Sequence, residues 1–369
     1  MRIGVLTSSR ADYYIYSPLL QKLEKDPFFD LHLLVFGTHL SKQHAYTVND
    51  IVNDKFKITA RIKTTPAKDS PLVISGSIGR TITSFSALWE KEKFDLVLAL
   101  GDRYEMFAAV VASVPFSIPI AHIHGGESTS GAIDNVFRHS ISLMSRIHFT
   151  SAEPYKKRVI QIIGHRENVF NVGALSIENL KSLKLLSVRE IKQTYKIDLA
   201  KPTILITVHP ETVDYQNNKL YIDEIIHALE QLKGYQFLIT MPNADTMGTI
   251  IRKAWLHFKK RNKRVFLFEN LGKIGYLSCM KHCSFMLGNS SSGFIEASYF
   301  PRNVINIGNR QDGRIITSNI ISCAPKMNKI LDAVREAETI RVETPVKIYG
   351  TGNTASKIIH ILKNLEKTN

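Results

Sequence analysis

Short apolar or β-branched runs alternate along the chain with longer amphipathic stretches, the pattern of an α/β protein with parallel sheets. In the first half, Ile3–Ser8, Leu31–Phe36, Asp95–Leu100, Ile118–Ile123, Ile147–Thr150 and Asn168–Val172 read as strands. Ser17–Lys25, Tyr104–Ser113 and Asn135–Ser145 read as helices between them. The alternation then repeats. Thr203–Val208, Tyr235–Met241, Arg264–Glu269, Ser284–Leu287 and Asn303–Ile307 read as strands, with helices over Leu220–Leu232, Ala244–Arg261 and Ser292–Tyr299. A polar, helix-like stretch over Ser176–Ala200 separates the halves. The expectation is an α/β chain of two Rossmann-like domains, 1–173 and 174–354, with an amphipathic last helix over Ala355–Lys367. Open α/β sheets bind ligands beyond the carboxyl ends of their strands, so two such domains facing each other would share a cleft there. Gly76-Ser77-Ile78-Gly79, in a Ser- and Gly-rich stretch, reads as a mobile loop.

Composition narrows the class. A chain of 369 residues that is 44% hydrophobic and 22% charged is too apolar for intrinsic disorder. Its length suits about two domains at ~150 residues each. It has no apolar run of the ~18 residues a spanning helix needs, and the apolar stretch at its start, Ile3–Leu6, is too short for a signal peptide. The 3 cysteines, Cys279, Cys283 and Cys323, make no disulfide framework. A cytoplasmic protein without a membrane partner is expected. The net charge of +15 raises nucleic acid as a partner. The excess is spread along the chain, however, and the clusters at 156–158 and 259–264 come with no nucleic-acid motif, so no nucleic-acid partner is expected.

The polar motifs follow the strands. The first strand runs into Ser8-Ser9-Arg10-Ala11-Asp12, without GxGxxG or GxxxxGK[ST]. Arg10 beside a helix start suits an anion; the structural alternative is Asp12 as a cap and Arg10 in a salt bridge. Asp102 and Arg103 follow the next clean strand. Then comes His122-Ile123-His124-Gly125-Gly126-Glu127, and Asp134 opens the helix after it, with Arg138 and His139 one turn further on. Two carboxylates and several imidazoles at one strand end are the equipment of general acid–base chemistry. A metal held by His, His and Glu is the rival reading, although HExxH is missing. In the second half, His209-Pro210-Glu211-Thr212 and Pro242-Asn243-Ala244-Asp245 end strands; Asn243 and Asp245 either bind a ligand or cap the next helix. Gly288-Asn289-Ser290-Ser291-Ser292-Gly293 leads into a helix whose N-terminus suits phosphate, with Glu296 placed for ribose hydroxyls. Arg310, after the next strand, adds charge.

Taken in order, SRADY (Ser9–Tyr13), GDRYE (Gly101–Glu105), AHIHGGE (Ala121–Glu127), RHSI (Arg138–Ile141), HPET (His209–Thr212), PNAD (Pro242–Asp245), GNSSSG (Gly288–Gly293) and the GNRQDGR segment resemble the hydrolysing UDP-N-acetylglucosamine 2-epimerases. The resemblance runs from residue 9 to about 314. It implies a glycosyltransferase-B-like fold with 355–369 crossing back to the first domain, a homodimer, and no cofactor or metal. It implies that Arg10, His209, Ser290 and Ser291 hold a diphosphate and Glu296 a ribose, with Arg103, Asn243 and Arg310 as further nucleotide contacts. Asp102, Glu127 and Asp134 would be the catalytic carboxylates, joined by His124 and His209. Many relatives carry Glu where this chain has His124, while a bacterial branch carries HIHGGE as here. The role of that Glu falls either to Glu127 or to the imidazole. Tyr14 stands where relatives often have Gly or Ser, and Asn135 where they often have an acid. The implied reaction takes UDP-N-acetylglucosamine to N-acetylmannosamine and UDP through 2-acetamidoglucal, for sialic-acid synthesis. The alternatives are the same chemistry on UDP- or GDP-N,N′-diacetylbacillosamine, or a nucleotide-sugar-binding protein without catalysis. GDR and HPET depart from the patterns of a non-hydrolysing epimerase.

Overall fold

The computed structural model describes residues 1–66, 70–128, 133–211, 215–242, 248–342 and 344–366. Its strands form two wholly parallel sheets. The first contains β1 (Arg2–Thr7), β2 (Asp30–Phe36), β3 (Ile58–Ile62), β4 (Leu96–Leu100), β5 (Ile120–Ile123), β6 (Ile147–Thr150) and β7 (Val169–Asn171), in the order β3-β2-β1-β4-β5-β6-β7. The second contains β8 (Thr203–Thr207), β9 (Gln236–Thr240), β10 (Val265–Phe268), β11 (Phe285–Gly288), β12 (Val304–Ile307) and β13 (Ile320–Cys323), in the order β10-β9-β8-β11-β12-β13. Both orders reverse direction once, between β1 and β4 and between β8 and β11, as doubly wound sheets do. Two such units make the fold glycosyltransferase-B-like in class.

Side-chain alternation explains why the central strands read as unbroken apolar runs. Ile3, Val5, Leu33, Val35 and Leu98 enter one buried cluster, which the helices Arg10–Lys25 and Thr354–Glu366 cover with Leu19, Leu23, Ile358 and Leu362. Their neighbours Leu6, Leu34, Phe36, Val97 and Ala99 enter a second cluster with Phe85, Trp89, Met106 and Val110. A strand buried on both faces has no polar side to show. The strands that periodicity missed, β3 and β13, are both sheet edges; β3 has no buried residue and only the first two residues of β13 are buried.

The chain divides into one compact unit of Met1–Glu127, Asp134–Lys181 and Ile348–Asn369 and another built on Ser182–Lys347. The change-over therefore lies past 181 rather than at 173, and the return lies at 348 rather than 355. Pro18 gives part of the reason. Proline has no N–H for the carbonyl four residues earlier, yet the helix Arg10–Lys25 continues through it. The carbonyl of Tyr14 is satisfied instead by Asn179 Nδ2 at 2.8 Å. That contact, with buried Leu175, Ile177 and Leu180, ties the helix Leu175–Ser182 to the first unit. Glu178 on the same helix accepts from Ala355 N at 2.6 Å, and Lys363 pairs with Asp26 at 2.6 Å, which hold the last helix there.

Gly76–Gly79 is not a loop. It lies inside the helix Pro71–Lys91, where Ile74, Ser77, Thr81, Phe85 and Trp89 form a buried stripe. Gly76 and Gly79 face solvent. Each costs about 1 kcal/mol of helix propensity relative to Ala, and the stripe outweighs it.

Candidate active site

At the first unit's reversal point, β1 passes through Ser8 and Ser9 into the helix Arg10–Lys25. Ser9 caps that helix, and Asp12 accepts from Ser9 N at 3.0 Å, Ser8 N at 2.9 Å and Ser8 Oγ at 2.7 Å. Asp12 is therefore a capping residue. Arg10 is the helix's first residue, a cation at the positive end of the dipole, where an anion would be favoured. β4 ends in Gly101-Asp102-Arg103. Asp102 binds Arg138 Nη2, and Arg103 folds onto the buried carboxylate of Glu105 at 3.1 and 3.2 Å.

β5 delivers two histidines to different fates. His122 donates from Nε2 to the carbonyl of Gly101 at 2.8 Å and lies 2.9 Å from Ser142 Oγ through Nδ1. Burial pushes it down to about 3, only partly offset by the Gly101 carbonyl, so the ring is neutral and structural. It does not join the acid–base cluster. His124 lies beyond the strand end with φ +65°, a strained conformation for a residue with a side chain. Its Nδ1 is 3.1 Å from Glu127 Oε1. Glu127, also buried, accepts from Ser151 Oγ at 2.7 Å, and Arg138 Nη1 lies 3.7 Å from its other oxygen. Arg138 also donates to the His124 carbonyl at 2.7 Å. Gly126 makes the turn possible: a Cβ there would sit 2.3 Å from the Tyr155 carbonyl. Asp134 opens the helix Asp134–Leu143 one turn before Arg138, on the same face. The fold thus brings Asp102, His124 and Glu127 around Arg138, with Asp134 on the same helix.

At the second unit's reversal point the loops are joined mainly by asparagine side chains and backbone groups, with Arg310 and Glu211 adding bonds. Asn289 accepts from His209 N at 2.7 Å and donates to the His209 carbonyl at 2.9 Å. Its own carbonyl accepts from Arg310 Nη1 at 3.2 Å and Gln311 Nε2 at 2.7 Å. Glu211 accepts from Asn309 N at 3.1 Å, and Asn218 spans the Glu211 backbone with two bonds of 2.9 Å. Gly288, at φ +143°, approaches β8 so closely that a Cβ would meet the Thr207 carbonyl at 2.0 Å. The serine segment is not the start of a long helix. Ser291–Gly293 is a single tight turn capped by Ser290, and Glu296 begins a separate one-turn helix, Glu296–Tyr299. An anion placed there would meet hydroxyls and backbone N–H groups rather than a long helix dipole. Tyr276 OH reaches Ser292 Oγ at 2.6 Å, and burial pushes that phenol up to about 12. Asn243, Asp245 and Thr212 lie outside the described residues.

Arg138, Ser151, Asn289, Glu211 and Tyr276 received no role from the sequence. Ser151 and Asn289 directly follow β6 and β11, so the strand-end rule that flagged Asp102 also marks them. Among the described residues there is no group of three or more metal-ligating side chains, and no helix is long and apolar enough to cross a membrane.

Known proteins share this organisation. The family model for UDP-N-acetylglucosamine 2-epimerase matches residues 21–363. The chain is 37% identical over 321 residues to a GDP/UDP-N,N′-diacetylbacillosamine 2-epimerase (hydrolyzing) of Campylobacter jejuni, covering 87% of this chain and 83% of that protein. It is 33% identical to the UDP-N,N′-diacetylbacillosamine 2-epimerase (hydrolyzing) of Legionella pneumophila, over 99% and 96% of the two chains. It is 34% identical to polysialic acid biosynthesis protein P7 of Escherichia coli, over 100% and 95%. Among solved structures, UDP-GlcNAc 2-epimerase from Neisseria meningitidis bound to UDP-GlcNAc superposes with a TM-score of 0.82 at 19% identity, over 99% and 100% of the chains. The family model over residues 21–363 and the near-complete coverage by hydrolysing relatives make this chain a member of the UDP-N-acetylglucosamine 2-epimerase family, on its hydrolysing side.

Proposed function

We propose that this enzyme hydrolyses and epimerises N,N′-diacetylbacillosamine carried on UDP or GDP, releasing the nucleoside diphosphate and the free 2-epimer. The observation that carries the substrate choice is the 37% and 33% identity to two hydrolysing enzymes named for that sugar nucleotide. The chemistry explains the equipment. The C2 proton of the sugar is not acidic at rest. Departure of the diphosphate builds positive charge at C1 and acidifies C2–H. In this reading Arg10, His209, Ser290 and Ser291 stabilise the leaving diphosphate. Glu296 binds ribose, and Arg103, Asn243 and Arg310 add nucleotide contacts. The Asp102–His124–Glu127 cluster and Asp134 handle the protons. Removal of the C2 proton gives the glycal; water adds at C1 while C2 is reprotonated on the other face. Two faces require two differently placed acid–base groups. The Asp102–Arg138 pair, which also clamps the His124 carbonyl, supports Asp102 as an organiser of this edge.

A second reading is UDP-N-acetylglucosamine as substrate with N-acetylmannosamine as product, in line with the 34% identity to a polysialic acid biosynthesis protein. Nucleotide release from UDP- and GDP-N,N′-diacetylbacillosamine and from UDP-N-acetylglucosamine, measured side by side, separates the two. The expected result is at least about tenfold higher kcat/KM for a diacetylbacillosamine nucleotide, a difference of about 1.4 kcal/mol. A preference for UDP-N-acetylglucosamine establishes the second reading instead.

A further inference from the structure

We infer that His124 and Glu127 work as a dyad, in which His124 Nε2 is the base that takes the C2 proton and Glu127 is a positioning residue. The inference rests on the reaction proposed above. An ionised carboxylate only accepts hydrogen bonds, so at 3.1 Å from Glu127 Oε1 the Nδ1 of His124 carries the hydrogen. In a neutral imidazole the lone pair then sits on Nε2. That atom has no hydrogen-bond partner among the described residues, although the residue is only 6% exposed. A buried polar atom without a partner is costly, and the left-handed backbone adds strain. The surroundings enforce both. His124 N donates to the Phe149 carbonyl at 2.9 Å, and its own carbonyl accepts from Arg138. Glu127 is pinned by Ser151 Oγ and faced by Arg138. The contrast with His122 two residues earlier is direct: there both ring nitrogens are engaged and none is open to a substrate.

The step balances without a further reactant. The C2–H electron pair becomes the C1–C2 π bond, the C1–O bond breaks, and the diphosphate leaves with its electrons. The proton goes to Nε2, and the imidazolium is matched by the Glu127 carboxylate. Among the described residues, the charged groups nearest His124 are Glu127, at its Nδ1, and Arg138, which binds its carbonyl and pairs with Asp102, while His122 stays neutral.

His124→Gly suits the positive φ and keeps both backbone hydrogen bonds, so it tests the ring alone. Nucleotide release is expected to fall about a thousandfold, within the range for losing a general base. UDP binding, read by calorimetry, stays within about twofold, a change of under ~0.5 kcal/mol. Added imidazole restores part of the rate, in proportion to its neutral form. Glu127→Gln is expected to lower kcat with little change in KM, because the imidazolium formed in the step loses its carboxylate. A His124→Gly enzyme keeping more than about a tenth of wild-type turnover overturns the dyad, since a lost base costs about a hundredfold or more. So does a variant that binds UDP normally and gains nothing from imidazole. Wild-type protein that releases nucleotide from none of the three sugars contradicts the proposed reaction instead, so the two failures are distinct.

Discussion

The two strand-end loop systems solve opposite problems. At the first unit's edge, a buried guanidinium gathers Asp102, Glu127 and the His124 carbonyl, and one imidazole nitrogen is left open on a strained backbone. At the second unit's edge, Asn289 and Asn218 stitch the loops with neutral bonds, and hydroxyls line the tight turn after β11. Ionic, under-saturated sites suit groups that change protonation during turnover. Loops held largely by amide, hydroxyl and backbone bonds suit holding a ligand whose charge stays fixed. The difference teaches that variants of the first edge should act on kcat and variants of the second on KM.

The largest expected effect comes from Arg138→Met, which leaves two carboxylates without their cation. Breaking a buried pair costs about 3–5 kcal/mol, to be read by denaturant unfolding, and turnover should vanish with it. A loss below about 1 kcal/mol, the worth of a surface pair, would show that Arg138 does not organise the edge. Asp134→Asn should leave unfolding nearly unchanged while lowering turnover at least about a hundredfold; near-wild-type turnover removes Asp134 from the chemistry. Asn289→Ala should raise KM about tenfold, the equivalent of one or two hydrogen bonds at ~1 kcal/mol each, and leave kcat within a few-fold. A fall in kcat at constant KM would break the division of labour.

The smallest effect concerns acid. His39, His122 and His148 all belong to the first unit, and burial lowers them to about 4, 3 and 4. Their folded values lie below the ordinary 6.5, so the stability they contribute is present above that pH and is lost as pH falls toward 4. Hydrogen exchange should show the first unit losing protection before the second over that interval. Equal loss in both units would mean these buried rings do not set the acid sensitivity.

Much of this was legible in the sequence, for identifiable reasons. Strands buried on both faces, such as Leu96–Leu100, announce themselves as apolar runs, and the motifs after them fall where doubly wound sheets bind ligands. The half-exposed edges Ile58–Ile62 and Ile320–Cys323 give no such run. The continuation of the Ser17–Lys25 helix back through Pro18 to Arg10 was hidden because the residue that compensates the proline, Asn179, is remote in sequence. The Gly76–Gly79 helix was hidden because local glycine propensity lost to a tertiary stripe. At the site, residue types announced Asp102, Glu127 and His124. Nothing local separates the locked His122 from the open His124; that depends on Ser142, on the Gly101 carbonyl and on a backbone turn past the strand.

The central claim is tested most directly by incubating the purified protein with UDP-N,N′-diacetylbacillosamine in D₂O and following the reaction by proton NMR. The account predicts release of UDP together with the free manno-configured sugar, carrying deuterium at C2. An epimerised sugar still attached to UDP, or a free sugar that keeps its C2 proton, would contradict it.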